Sequence, residues 1–218
     1  MNERSVKLRR WVLIAMLAAI SYLIVSYIRI PVVLFLKYEP KDVIITIGGF
    51  LLGPLAAFIT SLVVSLVEMV SISDTGPIGA LMNLLSTCSF ACTAAIFYKK
   101  RHTLSGAILG LLLGSVVMVI AMLLWNWLIT PLYMGVERSA VEGMLIPMFL
   151  PFNLLKAGLN SALVLVLYKP LVTALRKANL VPKREKSSGS ANKTGVWILG
   201  LILLATCILL LLVFQGKI

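Results

Sequence analysis

Three polar side chains, Asn153, Lys156 and Asn160, interrupt a long apolar run that continues to Tyr168. Their spacings of three and four residues place them on one face of a helix. A lysine near the centre of a bilayer costs roughly 2.5–3.5 kcal/mol on insertion scales, less where its ammonium reaches water or an oxygen acceptor. A polar stripe that carries a cation inside a membrane helix therefore predicts a binding site.

The composition indicates an integral membrane protein. Of the 218 residues, 60% are hydrophobic and only 13% are charged, whereas soluble domains contain about 25% charged residues. The net charge of +12 could suggest nucleic-acid binding. The basic residues instead cluster in short segments between apolar runs, which is typical of the cytoplasmic face of a membrane protein.

Apolar runs and helix breakers predict a six-helix membrane domain formed by residues 1–180. The predicted helices cover about residues 11–28, 43–52, 54–71, 77–98, 104–129, and 147 or 151 to 175. The segments 32–42 and 133–144 are predicted to be loops at the outer surface. A basic, Ser/Gly-rich linker at 181–195 is followed by a seventh apolar run, 196–214, long enough to span and predicted to be an appended anchor.

The distribution of charge predicts the orientation of these helices. The basic segments 1–10, 99–101 and 176–186 fall on one side of the predicted topology. The loops on the other side contain five of the eight acidic residues, namely Glu39, Asp42, Asp74, Glu137 and Glu142. The positive-inside rule therefore predicts a multi-pass protein of the cell membrane with a cytoplasmic N-terminus.

This topology brings further polar and aromatic residues towards the outer leaflet near Asn153 and Lys156. Mostly apolar walls with a few placed polar groups are typical of a ligand pocket, so we predict a pocket open to the outside for a flat, largely neutral molecule. The predicted ligand-binding residues are Asn126, Asn153, Lys156, Tyr38, Leu36, Phe35, Asn83, Glu68 and Trp125.

Several of these residues also have simpler interpretations. Trp125 and its neighbour Trp127 could anchor a helix end at the membrane interface. Asn83 could form a helix–helix hydrogen bond, and Glu68 could pair with a neighbouring cation as a structural device. Lys156 could extend its ammonium to the membrane surface.

Chemical motifs of several enzyme classes are absent from the sequence. It contains no P-loop motif, no zinc-protease motif, no serine-hydrolase elbow and a single histidine, His102. Cys88, Cys92 and Cys207 lie in apolar runs, which favours buried thiols over a disulfide or a metal site. We therefore predict neither catalysis nor a bound metal.

Ala15 and Ala19 form a ridge of small residues on the first helix. Small residues four apart allow another helix to approach closely. The ridge could dock a partner helix, although alanine is common in membrane helices.

The sequence resembles the substrate-binding S components of energy-coupling factor (ECF) vitamin importers, and among them the riboflavin-specific members. The resemblance covers about residues 8–180. It is carried by segment 35–42, Phe-Leu-Lys-Tyr-Glu-Pro-Lys-Asp, by segment 47–54, Ile-Gly-Gly-Phe-Leu-Leu-Gly-Pro, and by segment 152–156, Phe-Asn-Leu-Leu-Lys. The alanine ridge is similar to the motif with which S components dock on their coupling subunit.

The resemblance implies an all-α, six-helix S component that captures riboflavin from outside, needs no cofactor and hydrolyses nothing. A transmembrane coupling subunit and two ATPases would supply the energy. Asn126, Asn153 and Lys156 would bind the polar part of the flavin, with segment 35–42 as a lid and a contribution from Glu142. The seventh apolar run departs from the six-helix pattern.

Three other functions stay open. The same fold could bind another vitamin or a nucleobase. The chain could be a small intramembrane enzyme or a channel, or it could be a structural membrane scaffold in which the polar stripe binds no small molecule.

Overall fold

The computed structural model describes residues 3–178 and 193–216. Within these ranges the chain is almost entirely helical, with one short β-hairpin. The elements are α1 (Glu3–Tyr27), β1 (Ile30–Val33), β2 (Leu36–Tyr38), α2 (Lys41–Leu52), α3 (Pro54–Ser71), α4 (Gly76–Lys100), α5 (Leu104–Met134), α6 (Arg138–Met144), a π-helical turn (Leu145–Phe149), α7 (Leu150–Lys177) and α8 (Lys193–Phe214).

Six segments in the described part of the chain are long and apolar enough to cross a membrane. They are Lys7–Tyr27, Pro54–Ser71, Gly76–Lys100, Leu104–Met134, Arg138–Leu175 and Trp197–Phe214. The predicted second helix is not among them, because α2 has only 12 residues and a rise of about 1.5 Å per residue makes it roughly 18 Å long. Most of the predicted linker 181–195 lies outside the described residues.

Helices α1, α2 and α3 form an up–down–up arrangement. Arg10, early in α1, donates a hydrogen bond of 3.1 Å to the carbonyl oxygen of Leu52 at the end of α2. Tyr22, late in α1, donates one of 3.0 Å to Ser71 at the end of α3. The chain therefore reverses at Gly53, whose φ of 95° suits a residue without a Cβ. The predicted break at Gly53-Pro54 is confirmed.

Helices α4 and α5 approach each other closely through two glycines. A Cβ placed on Gly110 or Gly114 would lie 2.7 Å from the carbonyl oxygen of Ala94 or 2.6 Å from that of Phe90. Small residues at such positions let two membrane helices pack backbone to backbone. This contact fixes α5 against α4, the two helices that form the walls of the site described below.

The segment predicted as a loop at 32–42 forms an antiparallel hairpin and the first turn of α2. Ile30 pairs with Tyr38, and Pro31 pairs with Lys37. The alternation in β2 explains the structure, because Leu36 and Tyr38 are buried and Lys37 between them is not. The loop prediction is wrong for this segment.

The prediction that the fifth helix ends at Thr130-Pro131 is also wrong. Helix α5 includes Pro131 and continues to Met134. Proline removes one backbone donor and crowds the preceding turn, but α5 accommodates it close to its end. Gly135, in a left-handed conformation with φ 64°, ends the helix by donating its N–H to the Pro131 carbonyl.

The predicted outer loop at 133–144 is partly helical. Helix α6 and the π-helical turn lead directly into α7, which begins at Leu150 between the two predicted prolines and ends two residues beyond the predicted Leu175. The π-helical turn lies immediately before the polar stripe. Such turns are often found at functional sites.

The seventh predicted helix exists as α8, beginning three residues earlier than predicted. It packs along α7 rather than standing apart as an anchor. A Cβ on Gly158 would lie 2.7 Å from Cys207 Sγ, and one on Gly200 would lie 3.1 Å from Val166. Of the three thiols that were predicted to be buried, Cys207 is buried, whereas Cys88 and Cys92 are only half-buried.

Candidate ligand-binding site

Asp42, in the first turn of α2, is the centre of a buried polar cluster. Its carboxylate is fully buried and accepts hydrogen bonds from Thr87 at 2.6 Å and from Asn160 Nδ2 at 3.3 Å. Tyr38 on β2 donates to the other end of the same amide, Asn160 Oδ1, at 3.1 Å. Burial, and to a smaller extent the negative charge of Asp42, raise the pKa of Tyr38. The Tyr38 hydroxyl therefore stays protonated and remains a hydrogen-bond donor. The hairpin, α2, α4 and α7 thus meet in one network.

Lys156 from α7 completes this cluster. Its Nζ lies 3.3 Å from Asp42 Oδ2 and donates to Ser86 Oγ on α4 at 3.0 Å. The side chain is only 6% exposed, so it does not extend to the membrane surface. An ammonium–carboxylate hydrogen bond is usually 2.7–2.9 Å long, and Lys156 is therefore only loosely paired with Asp42.

A mostly apolar cleft lies between the hairpin, α4 and α5. It is narrow and is lined by Phe35, Thr75, Ile78, Gly79, Met82, Trp125, Ile129, Thr130 and Tyr133. Phe35 contacts Tyr133 with ring centroids 5.6 Å apart and Phe149 at 6.4 Å. The tip of the hairpin is therefore one wall of the cleft, and α5 provides the opposite wall.

The face of α4 that lines the cleft continues to a residue that contacts Lys156, although Lys156 does not itself line the cleft. Ile78 and Met82 line the cleft, and Ser86, one turn further on the same face, accepts the hydrogen bond from Lys156. An apolar entrance followed by a loosely paired ammonium is an arrangement that can bind a molecule with one apolar and one hydrogen-bonding edge.

Asn153 and Asn126 flank this region in different states. Asn153 Nδ2 donates to the Phe149 carbonyl at 2.7 Å, while its buried Oδ1 accepts no hydrogen bond from the residues that the structure describes. Asn126 bonds within its own helix, to the Met122 carbonyl at 2.7 Å and from Thr130 at 2.9 Å. Asn153 thus has an unused acceptor. Asn126 does not line the cleft but accepts a hydrogen bond from Thr130, which does.

Glu68 and Asn83 belong to a second buried cluster rather than to the one around Asp42. Lys41 lies 2.6 and 2.5 Å from the two oxygens of Glu68 and 2.7 Å from Glu39. Asn83 donates to Glu68 at 3.1 Å, and Arg29 lies 3.3 Å from Glu39. This geometry matches the simpler interpretation of Glu68, in which it pairs with a neighbouring cation as a structural device.

The remaining predicted residues occupy different places. Phe35 and Trp125 line the cleft. Leu36 is buried in the apolar cluster beneath the hairpin, with Val32 and Phe152. Glu142 is at the surface, where it accepts a hydrogen bond of 2.8 Å from the indole N–H of Trp127, and neither residue lines the cleft. No group of three or more metal-ligating side chains occurs among the described residues.

The sequence analysis did not identify Asp42, Ser86 and Thr87 as parts of the site. Asp42 was assigned to an outer loop, yet it is followed by the apolar run 43–52 with no helix breaker between them. Because helix α2 begins at Lys41, the charged side chains of Lys41 and Asp42 are both buried in the protein. The apolar run that follows Asp42 without a break could have indicated that Asp42 belongs to a helix. Ser86 and Thr87 gave no such signal, because serine and threonine are common in membrane helices.

Comparison with known proteins decides the family. A sequence model described as "ECF transporter, substrate-specific component" matches residues 9–168. The chain belongs to this family. It is a multi-pass membrane protein, and the all-α fold and the predicted S-component resemblance are confirmed.

Other S components and transporters are similar over most of the chain. The riboflavin transporter RibU of Staphylococcus aureus is 28% identical over 179 residues, covering 78% of this chain and 93% of the relative. The riboflavin transporter FmnP of Bacillus subtilis is 26% identical over 190 residues, covering 80% and 99%. A solved S component of a bacterial ECF transporter superposes with a TM-score of 0.66 at 29% identity, covering 78% of this chain and 99% of that chain.

Proposed function

We propose that this S component captures riboflavin from the outside of the cell and delivers it to an ECF importer. The observation that supports this most directly is the apolar cleft on the face of α4 that continues to Ser86, the partner of Lys156, together with the unused acceptor of Asn153. The flavin ring system has an apolar dimethylbenzene edge and a pyrimidine edge with both donors and acceptors. The riboflavin transporters named above provide the second line of support.

The proposed binding mode places the apolar edge between Phe35 and Trp125 and the polar edge towards Lys156 and Asn153. Lys156 would exchange its long contact with Asp42 or its bond to Ser86 for a flavin carbonyl, and Asn153 Oδ1 would accept from a flavin N–H. As it stands, the cleft has an accessible volume of only about 10 Å³, which is room for about one water molecule, whereas drug-sized ligand pockets have roughly 300–1,000 Å³. Binding therefore requires the hairpin to move.

Fluorescence quenching of riboflavin by the purified protein tests this function. Lys156→Met removes an ammonium donor and Asn153→Ala an acceptor, and each should weaken binding about 10- to 100-fold because hydrogen bonds to charged or buried groups have been lost. Lys99→Met, at the exposed end of α4, is the matched control and should bind as the unmodified protein does.

Each alternative function gives a different result in these measurements. No quenching, together with another chromophore co-purifying with the protein, would indicate a different vitamin or a nucleobase. Unchanged binding by Lys156→Met and Asn153→Ala would remove the assigned site, and turnover or ion flux by the chain alone would indicate an enzyme or channel. Flavin mononucleotide should bind more weakly, because Arg29 and Lys41 are already paired with carboxylates.

The energy for transport would come from a coupling subunit and two ATPases, with the N-terminus of this chain in the cytoplasm. Ala15 and Ala19 support the docking of such a subunit, because both are exposed on α1 while Leu17 and Ala18 are buried in the bundle. Ala15→Trp or Ala19→Trp should abolish co-purification with the coupling subunit and leave riboflavin binding intact. Ala205→Trp, an exposed alanine of α8, should leave both unchanged.

A further inference from the structure

Helix α8 lies beyond the part of the chain that matches the family, which ends at residue 168. It nevertheless packs against α7 over much of its length. The Sγ of Cys207 occupies the space left by Gly158, and Gly200 lies against Val166 and Leu165. These small residues on both helices produce a close interface, which is more than a tethered membrane anchor requires.

The last turns of α8 continue from α7 onto the hairpin. Leu211 is 9% exposed and belongs to the apolar cluster that contains Val32, Leu36 and Tyr38 of the hairpin. One turn later, Gln215 Nε2 donates a hydrogen bond of 2.9 Å to the carbonyl oxygen of Pro31 on β1. The hairpin is thus fixed from outside by an apolar contact from Leu211 of α8 and a polar contact from Gln215, the residue that follows α8.

The same hairpin is connected to the candidate site at two points. Phe35 at its tip lines the cleft. Tyr38 donates to Asn160, which donates to Asp42, the carboxylate next to Lys156. A displacement of the hairpin would therefore open the cleft and remove the Tyr38 hydrogen bond together.

We propose that α8 is a brace for the hairpin, and that Leu211 and Gln215 are positioning residues for the ligand site although neither touches the cleft. The proposal rests on the proposed function, because it makes the hairpin the element that ligand entry and release must displace. Contacts that exist only while the hairpin is in place lower the rate at which it opens. Without them a bound flavin should leave faster, and its entry should also be faster, so the affinity changes less than the dissociation rate.

The test measures riboflavin dissociation by stopped-flow fluorescence in full-length variants. Gln215→Glu keeps the size of the side chain but cannot donate to Pro31, and we expect about fivefold faster dissociation. Leu211→Ala removes the buried contact, and we expect a change of roughly tenfold or more. Leu210→Ala is the matched control, because Leu210 is 47% exposed on the same helix, and its rate should equal that of the unmodified protein.

A second readout does not depend on riboflavin. Amide hydrogen exchange of residues 30–38 should be faster in Gln215→Glu and Leu211→Ala than in Leu210→Ala, because the hairpin opens more often. If the unmodified protein binds riboflavin and neither rate changes in either variant, the brace is ruled out while the proposed function survives. If riboflavin does not bind but hairpin exchange accelerates, the proposed function fails and the mechanical role of α8 stands.

Discussion

Two buried lysines, Lys41 on α2 and Lys156 on α7, differ in how firmly they are paired. Lys41 lies within 2.7 Å of oxygens from two carboxylates, those of Glu39 and Glu68. Lys156 has one carboxylate at 3.3 Å and one hydroxyl at 3.0 Å.

The difference indicates which lysine can serve a ligand. A buried charge that is fully paired is costly to separate from its partners, so Lys41 is suited to fixing the hairpin and α2 against α3. Lys156 can exchange a weak contact for a ligand oxygen at little cost. The charge cluster around Lys41 is therefore structural, and the one around Lys156 is suited to binding a ligand.

The largest effect should come from breaking the tighter pair. Lys41→Met leaves Glu39 and Glu68 buried without their shared cation, and losing one partner of a buried ion pair typically destabilises a protein by about 3–5 kcal/mol. Thermal unfolding in detergent should show this loss directly. Adding Glu68→Gln should recover part of it, because one uncompensated charge is removed. A single variant as stable as the unmodified protein would contradict the assignment of Lys41 as structural.

A smaller effect is expected when the looser cluster loses a single donor. Thr87→Val keeps the shape of the side chain but removes the 2.6 Å hydrogen bond to Asp42, which should cost about 1.5–3 kcal/mol because the acceptor is charged. Asp42 retains Asn160 and Lys156 as partners. Thr173→Val on the exposed face of α7 is the control, and equal losses of stability in the two variants would argue against a special role for Thr87.

Most of the helical fold could be predicted because hydropathy and helix breakers record it locally. The break at Gly53-Pro54 and the existence of the C-terminal apolar helix, α8, both follow from composition. The hairpin could not be predicted in this way, because strands of only four and three residues give too short an alternation of apolar and polar residues to be recognised in the sequence. Pro131 misled the prediction because whether proline ends a helix depends on how near the end it lies and what caps it.

The candidate site was harder to predict, because contacts between distant segments have no local signal. The polar stripe of Asn153, Lys156 and Asn160 is visible in the sequence as a helical period. Its partner Asp42 lies more than a hundred residues earlier, and no spacing rule connects the two. Glu68 and Asn83 satisfied the same polarity criterion as Lys156, and only their observed partners separate them.

A modest effect should follow from removing the hydroxyl that connects the hairpin to the looser cluster. Tyr38→Phe deletes the 3.1 Å bond to Asn160 and should cost about 0.5–1.5 kcal/mol of stability. Riboflavin should also dissociate faster, as expected for a hairpin that has lost one of its attachments. Tyr27→Phe, 85% exposed, is the control. A variant with unchanged stability and unchanged dissociation would show that the hydrogen bond contributes to neither.

The smallest effect should come from the exposed ion pair of the hairpin, which extends the comparison to a third lysine. Lys37 lies 2.6 Å from Asp74, and the two side chains are 37% and 72% exposed, so salt screens this pair far more than the buried ones. The hydrogen bond from Lys37 lowers the pKa of Asp74 below its usual 3.8.

A group whose pKa is lowered by folding stabilises the protein above its ordinary pKa, and this contribution is lost as the pH falls through the lowered value. We therefore expect the protection of the hairpin amides, measured as the exchange rate relative to the intrinsic rate at the same pH, to fall slightly below about pH 4 at low salt, and this loss of protection to disappear in Asp74→Asn and at high salt. The Lys41 cluster should be insensitive to salt because it is buried. An equal acid response in the Asp74→Asn variant would place the titrating group elsewhere and would remove the distinction between the exposed pair and the buried ones.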